Sequence, residues 1–311
     1  MTKSIIENCC SFCCKLVIFV ALVACVLPNA TAQYYEGDDE MNIAPPGADF
    51  IIAGGVYMGG KGPAGYYSGA SGNENNLNYI FGNQSWMDQI TRLITDNNNQ
   101  VSPNSDKGFW IKEYPQDMHY QPAMSVTIGA SYRFNKNWRM SIYYNFARLT
   151  AKDVFSVGFD NLVPGNYSND YLLYLLIGKE NRSSFDLMGS YTFHPSKIIK
   201  PFIEFGAQFN FVRVKSFDAI IEDREFNLLD VYGGSTYVAG AGMQELDTRY
   251  GGPGWGVCAD VGVKFAFSKS VSIDPCFYVS FGKVGLNGYK DYHFNYGAYV
   301  RLVMSDAMFQ K

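Results

Sequence analysis

An antiparallel, eight-stranded transmembrane β-barrel with long external loops is the fold this sequence predicts, and three observations predict it. Apolar and polar residues alternate with a period of two through one segment after another. The best-defined segments run about 11 residues, the length a tilted strand needs to cross a bilayer. The connections between segments run long, short, long, short, long, short, medium, as in a barrel with tight turns on one side of a membrane and loops on the other.

The alternation is clearest from Pro122 to Leu149. Met124, Val126, Ile128, Ala130, Tyr132 and Phe134 share one face; Ser125, Thr127, Gly129, Ser131 and Arg133 share the other. After Asn135-Lys136-Asn137 the pattern resumes, with Trp138, Met140, Ile142, Tyr144 and Phe146 opposed to Arg139, Ser141, Tyr143, Asn145 and Ala147. This is a β-hairpin of long strands. The apolar face carries aromatics near its ends, and the other face carries Arg, Asn, Ser, Thr and Gly rather than a solvated mixture of Lys and Glu. Such strands place the apolar face against lipid and the polar face in a lumen.

Composition is consistent with this. The 311 residues include 23 Tyr, 23 Phe and 31 Gly but only 17% charged residues, and length alone would allow one large or two small domains. The net charge of −4 gives no reason to expect a nucleic-acid partner.

Residues 1–32 read as a signal peptide. Lys3 and Lys15 flank a polar n-region, Leu16 to Leu27 is an apolar stretch too short to span a bilayer, and Ala30-Thr31-Ala32 supplies a cleavage pattern before Gln33. The competing reading is a lipoprotein leader, with Leu22-Val23-Ala24-Cys25 making Cys25 the lipidated residue. Cys9, Cys10, Cys13 and Cys14 also fall in the leader, so the paired cysteines are removed rather than binding metal. Cys258 and Cys276 remain on neighbouring strands, diagonal to one another, and a disulfide between them stays open. Residues 33–48 are a flexible N-terminal segment, 49–304 the barrel and 305–311 a C-terminal tail.

Within the barrel the first strand candidate is Phe50 to Gly60. About 60 residues rich in Gly, Asn, Ser and Pro follow, too long for an ordinary connection. Within them Ser85 and Asp88 resemble a capping box ahead of an apolar stripe, Trp86, Ile90, Leu93 and Ile94, which predicts a short helix packed on the loop; a membrane-surface or partner-binding helix is the alternative. Thr150 to Ser183 reads as a second long connection, whose apolar run Tyr171 to Ile177 could extend a strand beyond the membrane. Further strands centre on Phe185–Phe193 and Ile203–Phe211, joined by the turn from His194 to Lys197. A third long segment runs from Ser216 to Gly254. In it "LLDVYGGSTYVAGAG" could form a hairpin that raises the count to ten. The last three strands follow, two closing around Ser268-Lys269-Ser270 and the last running from Tyr292 to Met304.

The units "SYRFNKNWRMSIYYNF", "SYTFHPSKIIKPFIEFGAQFNF" and "VGVKFAFSKSVSIDPCFYVSFGKVG" are each a strand, a tight turn and a strand. In these the chain resembles the small bacterial outer-membrane β-barrel families of the OmpA-barrel, OmpX and OmpW type, especially the Tyr/Phe-rich versions common in Bacteroidetes. It departs from them in carrying no peptidoglycan-binding domain after the barrel and in running past Met304 to Lys311 instead of ending on a terminal aromatic. The resemblance implies the outer membrane of a Gram-negative bacterium. Implied partners are outer-membrane lipid and lipopolysaccharide, the barrel-assembly machinery and an extracellular ligand at the long loops.

Eight strands enclose a lumen that side chains can fill. The inward charges are Arg133, Arg139, Asp186, Glu204, Asp260, Lys264, Asp274 and Arg301, four of each sign, and they predict an internal polar network because buried charges must pair. Function then lies in the surface loops, in envelope integrity, surface interaction or adhesion. The alternatives are a narrow channel for small or hydrophobic solutes and a lipid A-modifying enzyme. For the enzyme, His194-Pro195-Ser196 matches the His-x-Ser pair of barrel deacylases, but it falls in a short turn with Pro195 constraining the backbone, so the match reads as chance. His119 and His293 have no nucleophile or metal-ligand partners at recognisable spacing. No catalytic, cofactor or metal site is expected.

Overall fold

Eleven strands are described in the computed structural model: β1 (Gly47–Met58), β2 (Phe109–Glu113), β3 (His119–Tyr120), β4 (Ala123–Arg133), β5 (Trp138–Phe159), β6 (Tyr171–Thr192), β7 (Ile199–Ile221), β8 (Arg224–Asn227), β9 (Pro253–Ala266), β10 (Val271–Lys283) and β11 (Tyr292–Ser305). The structure describes residues 46–73, 75–97, 101, 108–160, 170–195, 199–229, 251–268, 270–289 and 291–306. The expected signal peptide with its Cys25 alternative, most of the expected N-terminal segment 33–48, the stretch from 230 to 250 that holds most of the hairpin candidate, and the expected tail from 307 lie outside these residues.

Eight of the strands form a closed antiparallel ring in chain order, β1, β4, β5, β6, β7, β9, β10 and β11. Closure comes from β1 pairing with β11, Asp49 opposite Ser305 through Met58 opposite Tyr296, so no strand of the ring is left with a bare edge. The expected alternation is the observed one: along β4, inward residues are buried and outward residues exposed without exception. The outer face carries Met124 at 81%, Phe205 at 63% and Val261 at 58% exposure. A closed barrel with its large apolar side chains outside and its charges inside is a transmembrane barrel. Aromatics collect at both ends of this belt, Trp138 against Tyr191 and Tyr132 against Phe134 at one, Trp255 against Tyr292 and Phe281 against Phe294 at the other.

The connections 134–137, 193–198 and 267–270 are short and lie at one end; 59–122, 160–170, 222–252 and 284–291 lie at the other. The stretch from Thr150 to Ser183, expected as a long connection, is corrected: most of it is strand. β5, β6 and β7 run for 22, 22 and 23 residues, about twice what a bilayer needs, and project beyond the belt. The third long segment likewise begins later than expected, because β7 continues to Ile221 and pairs with β8.

The reason is an inversion of polarity. Up to the cross-strand row of Phe146, Ser183 and Phe211 the outward positions are mainly apolar. Beyond it the outward residues are Arg148, Thr150 and Lys152 on β5, Lys179 and Asn181 on β6, and Arg213 and Lys215 on β7. The inward residues become Ala147, Leu149, Ala151, Leu176, Val212, Val214 and Phe217, all buried. The three strands leave lipid at the same register level, and their inner face then needs an apolar partner.

That partner is the segment 61–97. A helical turn at Lys61–Ala64 and a 3-10 turn at Gly65–Tyr67 lead to short helices at Asn78–Phe81 and Gln84–Asn97. Ile90 and Ile94 are fully buried, and Trp86 meets Phe226 edge to face. The longer helix therefore packs on the projecting sheet, where its stripe predicts packing on the loop. The capping-box expectation is corrected: the side-chain Oδ1 of Asn83 accepts the Trp86 N–H at 3.3 Å, while Asp88 accepts from Gln84. Together these parts form an apolar cap over the end of the barrel that carries the long connections.

Candidate functional site

Arg133, Arg139, Asp186, Glu204, Asp260, Asp274 and Arg301 are buried within the ring and Lys264 is half-buried, in successive layers. At the short-turn end Arg133 pairs through Nη1 with Asp49 and donates through Nη2 to Ser305 Oγ at 2.8 Å. The next layer centres on Glu204, which is fully buried. It accepts from Arg139 at 2.7 Å and from Arg301 at 2.8 Å, and Tyr143 donates its hydroxyl to Oε2 at 3.1 Å. Arg301 also pairs with Asp260 and lies over the Tyr143 ring, 4.5 Å from its centroid. Glu204 and Asp260 face each other directly across β7 and β9, and Arg301 from β11 is the cation that bridges them.

Above this, Asp186 is held by neutral donors alone. Asn145 donates at 2.7 Å, Gln208 at 3.1 Å and the Tyr278 hydroxyl at 3.2 Å. Like Asp186, the predicted residues Lys264 and Asp274 join no ion pair among the described residues. Lys264 is half-buried opposite Lys200, and Asp274, fully buried, exerts an attractive field on Lys264 and Arg139 from beyond hydrogen-bond reach. Glu204 is thus met by Arg139 and Arg301, not by Lys264 of the neighbouring strand. Those two reach Glu204 with planar, forked donors from two other strands.

The outermost layer closes the mouth. Glu180 of β6 is buried and accepts two hydrogen bonds from Arg182, Nη2 at 2.6 Å and Nε at 3.1 Å. Its other oxygen accepts the hydroxyls of Tyr67 at 2.7 Å and Tyr120 at 2.9 Å. Arg182 reaches on to Asn295 Oδ1 at 3.1 Å, which also accepts the Gly60 N–H at 3.0 Å. One carboxylate thereby ties β6, β3, β11 and the cap together. Tyr67 lies flat against Gly178: a Cβ there would stand 2.1 Å from its Cδ1. Outside the membrane, burial beside Glu180 holds the Tyr67 phenol well above its ordinary range, so the hydroxyl stays a donor.

Glu180 and Arg182 are the functional residues that sequence reasoning missed, since they sit in the stretch read as a connection. Tyr143 was legible, because it occupies the inward phase of a recognised alternation, whereas Asp49 lies one residue ahead of the first strand candidate and was missed. Among the described residues the lumen holds a space of about 60 Å³ at the short-turn mouth and one of about 20 Å³ beneath the cap, each large enough for water.

Cys258 and Cys276 are both buried free thiols, diagonal in register as Cys258 opposes Ser280 and Cys276 opposes Gly262. His194 lies in the short turn after β6, at the end of the barrel away from the cap, with a left-handed φ of 48°. Ser196 lies outside the described residues.

No family model and no curated protein matches this chain. Among solved structures, Neisserial surface protein A aligns over 83% of this chain and 95% of its own at 11% identity, with a TM-score of 0.39. The outer membrane protein OprG from Pseudomonas aeruginosa aligns over 84% and 95% at 9% identity, with a TM-score of 0.33. Ail, the attachment invasion locus protein of Yersinia pestis, aligns over 83% and 98% at 10% identity, with a TM-score of 0.30. At such scores the barrel stands on its own hydrogen-bonded ring.

Proposed function

We propose that this chain is an integral outer-membrane protein whose barrel is a closed anchor and whose folded cap faces outward, acting in surface interaction or envelope integrity. One observation carries this reading: charged and polar side chains cross the lumen in layers, and the Glu180 cluster joins the strands to the cap at the end of the long connections. A solute channel would need a continuous path, whereas the spaces found between the described lumen residues are small. The lipid A-modifying alternative has its only His-x-Ser pair beside the short turns, away from the leaflet such chemistry would serve. Insertion by the barrel-assembly machinery and an extracellular ligand at the cap belong to the same reading.

Planar-bilayer recording of the refolded full chain tests it. No resolved conductance steps are expected; regular single-channel steps from the unmodified protein would overturn the closed-anchor reading and establish the channel. Orientation is tested separately. Protease added to intact cells is expected to cut within 160–170 or 222–252 and to spare 134–137, 193–198 and 267–270. Cutting confined to the short turns would invert the orientation.

A further inference from the structure

The cavity of about 60 Å³ at the short-turn mouth has no part in the closed-anchor reading. Arg139, Lys264 and Ser272 line it, from β5, β9 and β10. Two of these carry buried atoms without a hydrogen bond among the described residues, Arg139 Nε and Ser272 Oγ, in residues only 6% and 4% exposed. Lys264 adds an ammonium that makes no hydrogen bond or ion pair among those residues. Asp274 stands two residues from Ser272 on the same face of β10. The register, Ile273 opposite Phe265 and Cys276 opposite Gly262, brings it level with Lys264. It is fully buried, and neither of its oxygens accepts a hydrogen bond among the described residues.

Charge alone does not single this cavity out. Arg133 is engaged by Asp49 and Arg139 by Glu204, while Lys200 and Lys264 both lie in the attractive field of Asp274. The mixture of unmet groups does single it out, because buried polar groups are hydrogen-bonded as a rule and leaving one unmade is costly. Three of the groups donate, a guanidinium N–H, an ammonium and a hydroxyl, whereas the Asp274 carboxylate only accepts. A ligand that meets them all carries several acceptor oxygens, a negative charge for the two cationic donors and an O–H of its own. Hydrogen phosphate has all three; sulfate has no proton to give at neutral pH. The cavity is several times the ~10–15 Å³ that one buried water needs, which suits a tetrahedral oxyanion. We propose that the short-turn mouth is a binding site for hydrogen phosphate, whose oxygens accept from Lys264 Nζ, Arg139 Nε and Ser272 Oγ and whose O–H donates to Asp274. Arg133 and Lys200 keep partners of their own and add only to the field around the ion. The site stands whichever side of the membrane the short turns face.

The test uses the full chain, refolded in detergent, with inorganic phosphate as the probe, sulfate as the comparison anion and isothermal titration calorimetry as the readout. Wild type is expected to bind phosphate saturably and to bind sulfate roughly tenfold more weakly, the worth of a hydrogen bond to a charged group. Ser272→Ala and Lys264→Gln are each expected to weaken phosphate about tenfold or more. Asp274→Asn is expected to narrow the preference over sulfate, since an amide can donate to an oxygen that carries no proton. Lys179→Gln, at the capped end, should bind as wild type does. Heat-modifiable migration in gels reports which variants are folded. Ser272→Ala removes a single oxygen, so it keeps the test decisive if a charge variant fails to fold. Absence of saturable phosphate binding by wild type, unchanged binding by Ser272→Ala, or sulfate bound as tightly as phosphate would each overturn the proposal.

Discussion

Glu204→Ala is expected to lower the unfolding stability of the barrel by about 3–5 kcal/mol, because it removes one member of a buried, hydrogen-bonded charge cluster and leaves the others without compensation. Among the described residues Arg139 loses its carboxylate partner, Tyr143 loses its acceptor, and Arg301 keeps Asp260. Glu204→Gln preserves the shape and an acceptor oxygen but not the charge, and should fall between the variant and wild type. Ala207→Ser, three positions along on the lipid face, should change little. Urea unfolding in detergent micelles or lipid vesicles measures all three. A loss below about 1 kcal/mol for Glu204→Ala, the scale of an exposed ion pair, would mean that water fills the lumen and would revive the channel.

The second large effect is expected at Gly178, where the missing side chain makes room for the Tyr67 ring. Gly178→Val drives a branched side chain into a ring whose Cδ1 is 2.1 Å from the position of its Cβ. The ring cannot retreat without giving up its hydrogen bond to Glu180 and its edge contacts with Phe217 and Tyr66, at centroid distances of 5.5 and 5.0 Å. Overpacking of this kind costs roughly 1–3 kcal/mol, which raises local opening by about ten- to a hundred-fold. Hydrogen exchange across 61–97 should accelerate by that factor, while the lipid-embedded strands stay protected and the barrel stays inserted. Unchanged exchange would show that the cap is held by its apolar helix and not by the Tyr67 anchor.

The two sites differ in how far the sequence disclosed them. Glu204 was legible because β7 alternates without a break through Ile203, Glu204, Phe205 and Gly206, so a charged residue in the inward phase has only the lumen to enter. What was not legible was its partner. Lys264 lies on the adjacent strand, yet Arg301, from a strand across the lumen, makes the contact, and alternation says which way a side chain points without saying how far it reaches. Gly178, Glu180 and Arg182 were hidden for another reason. β5, β6 and β7 reverse their polarity where they leave lipid, so a reader following apolar-out alternation sees the strand end near Phe146 when only its solvent has changed. Arg148 and Lys152 alternating with Leu149 and Ala151 were the visible trace of that reversal.

The claim underlying all of this is that β7 crosses lipid up to Phe211 and water beyond it, with its inner face dry throughout. Single spin labels along β7, on a background with Cys258 and Cys276 replaced by serine, measure it directly. Labels at the outward positions 205, 207, 209 and 211 are predicted to be accessible to oxygen and shielded from a water-soluble nickel relaxant; labels at 213 and 215 should show the reverse. Labels at the inward positions 208 and 212 should be shielded from both. Nickel access at 205 to 211 matching that at 213 and 215 would contradict a transmembrane barrel, and nickel access at 208 would contradict a filled lumen.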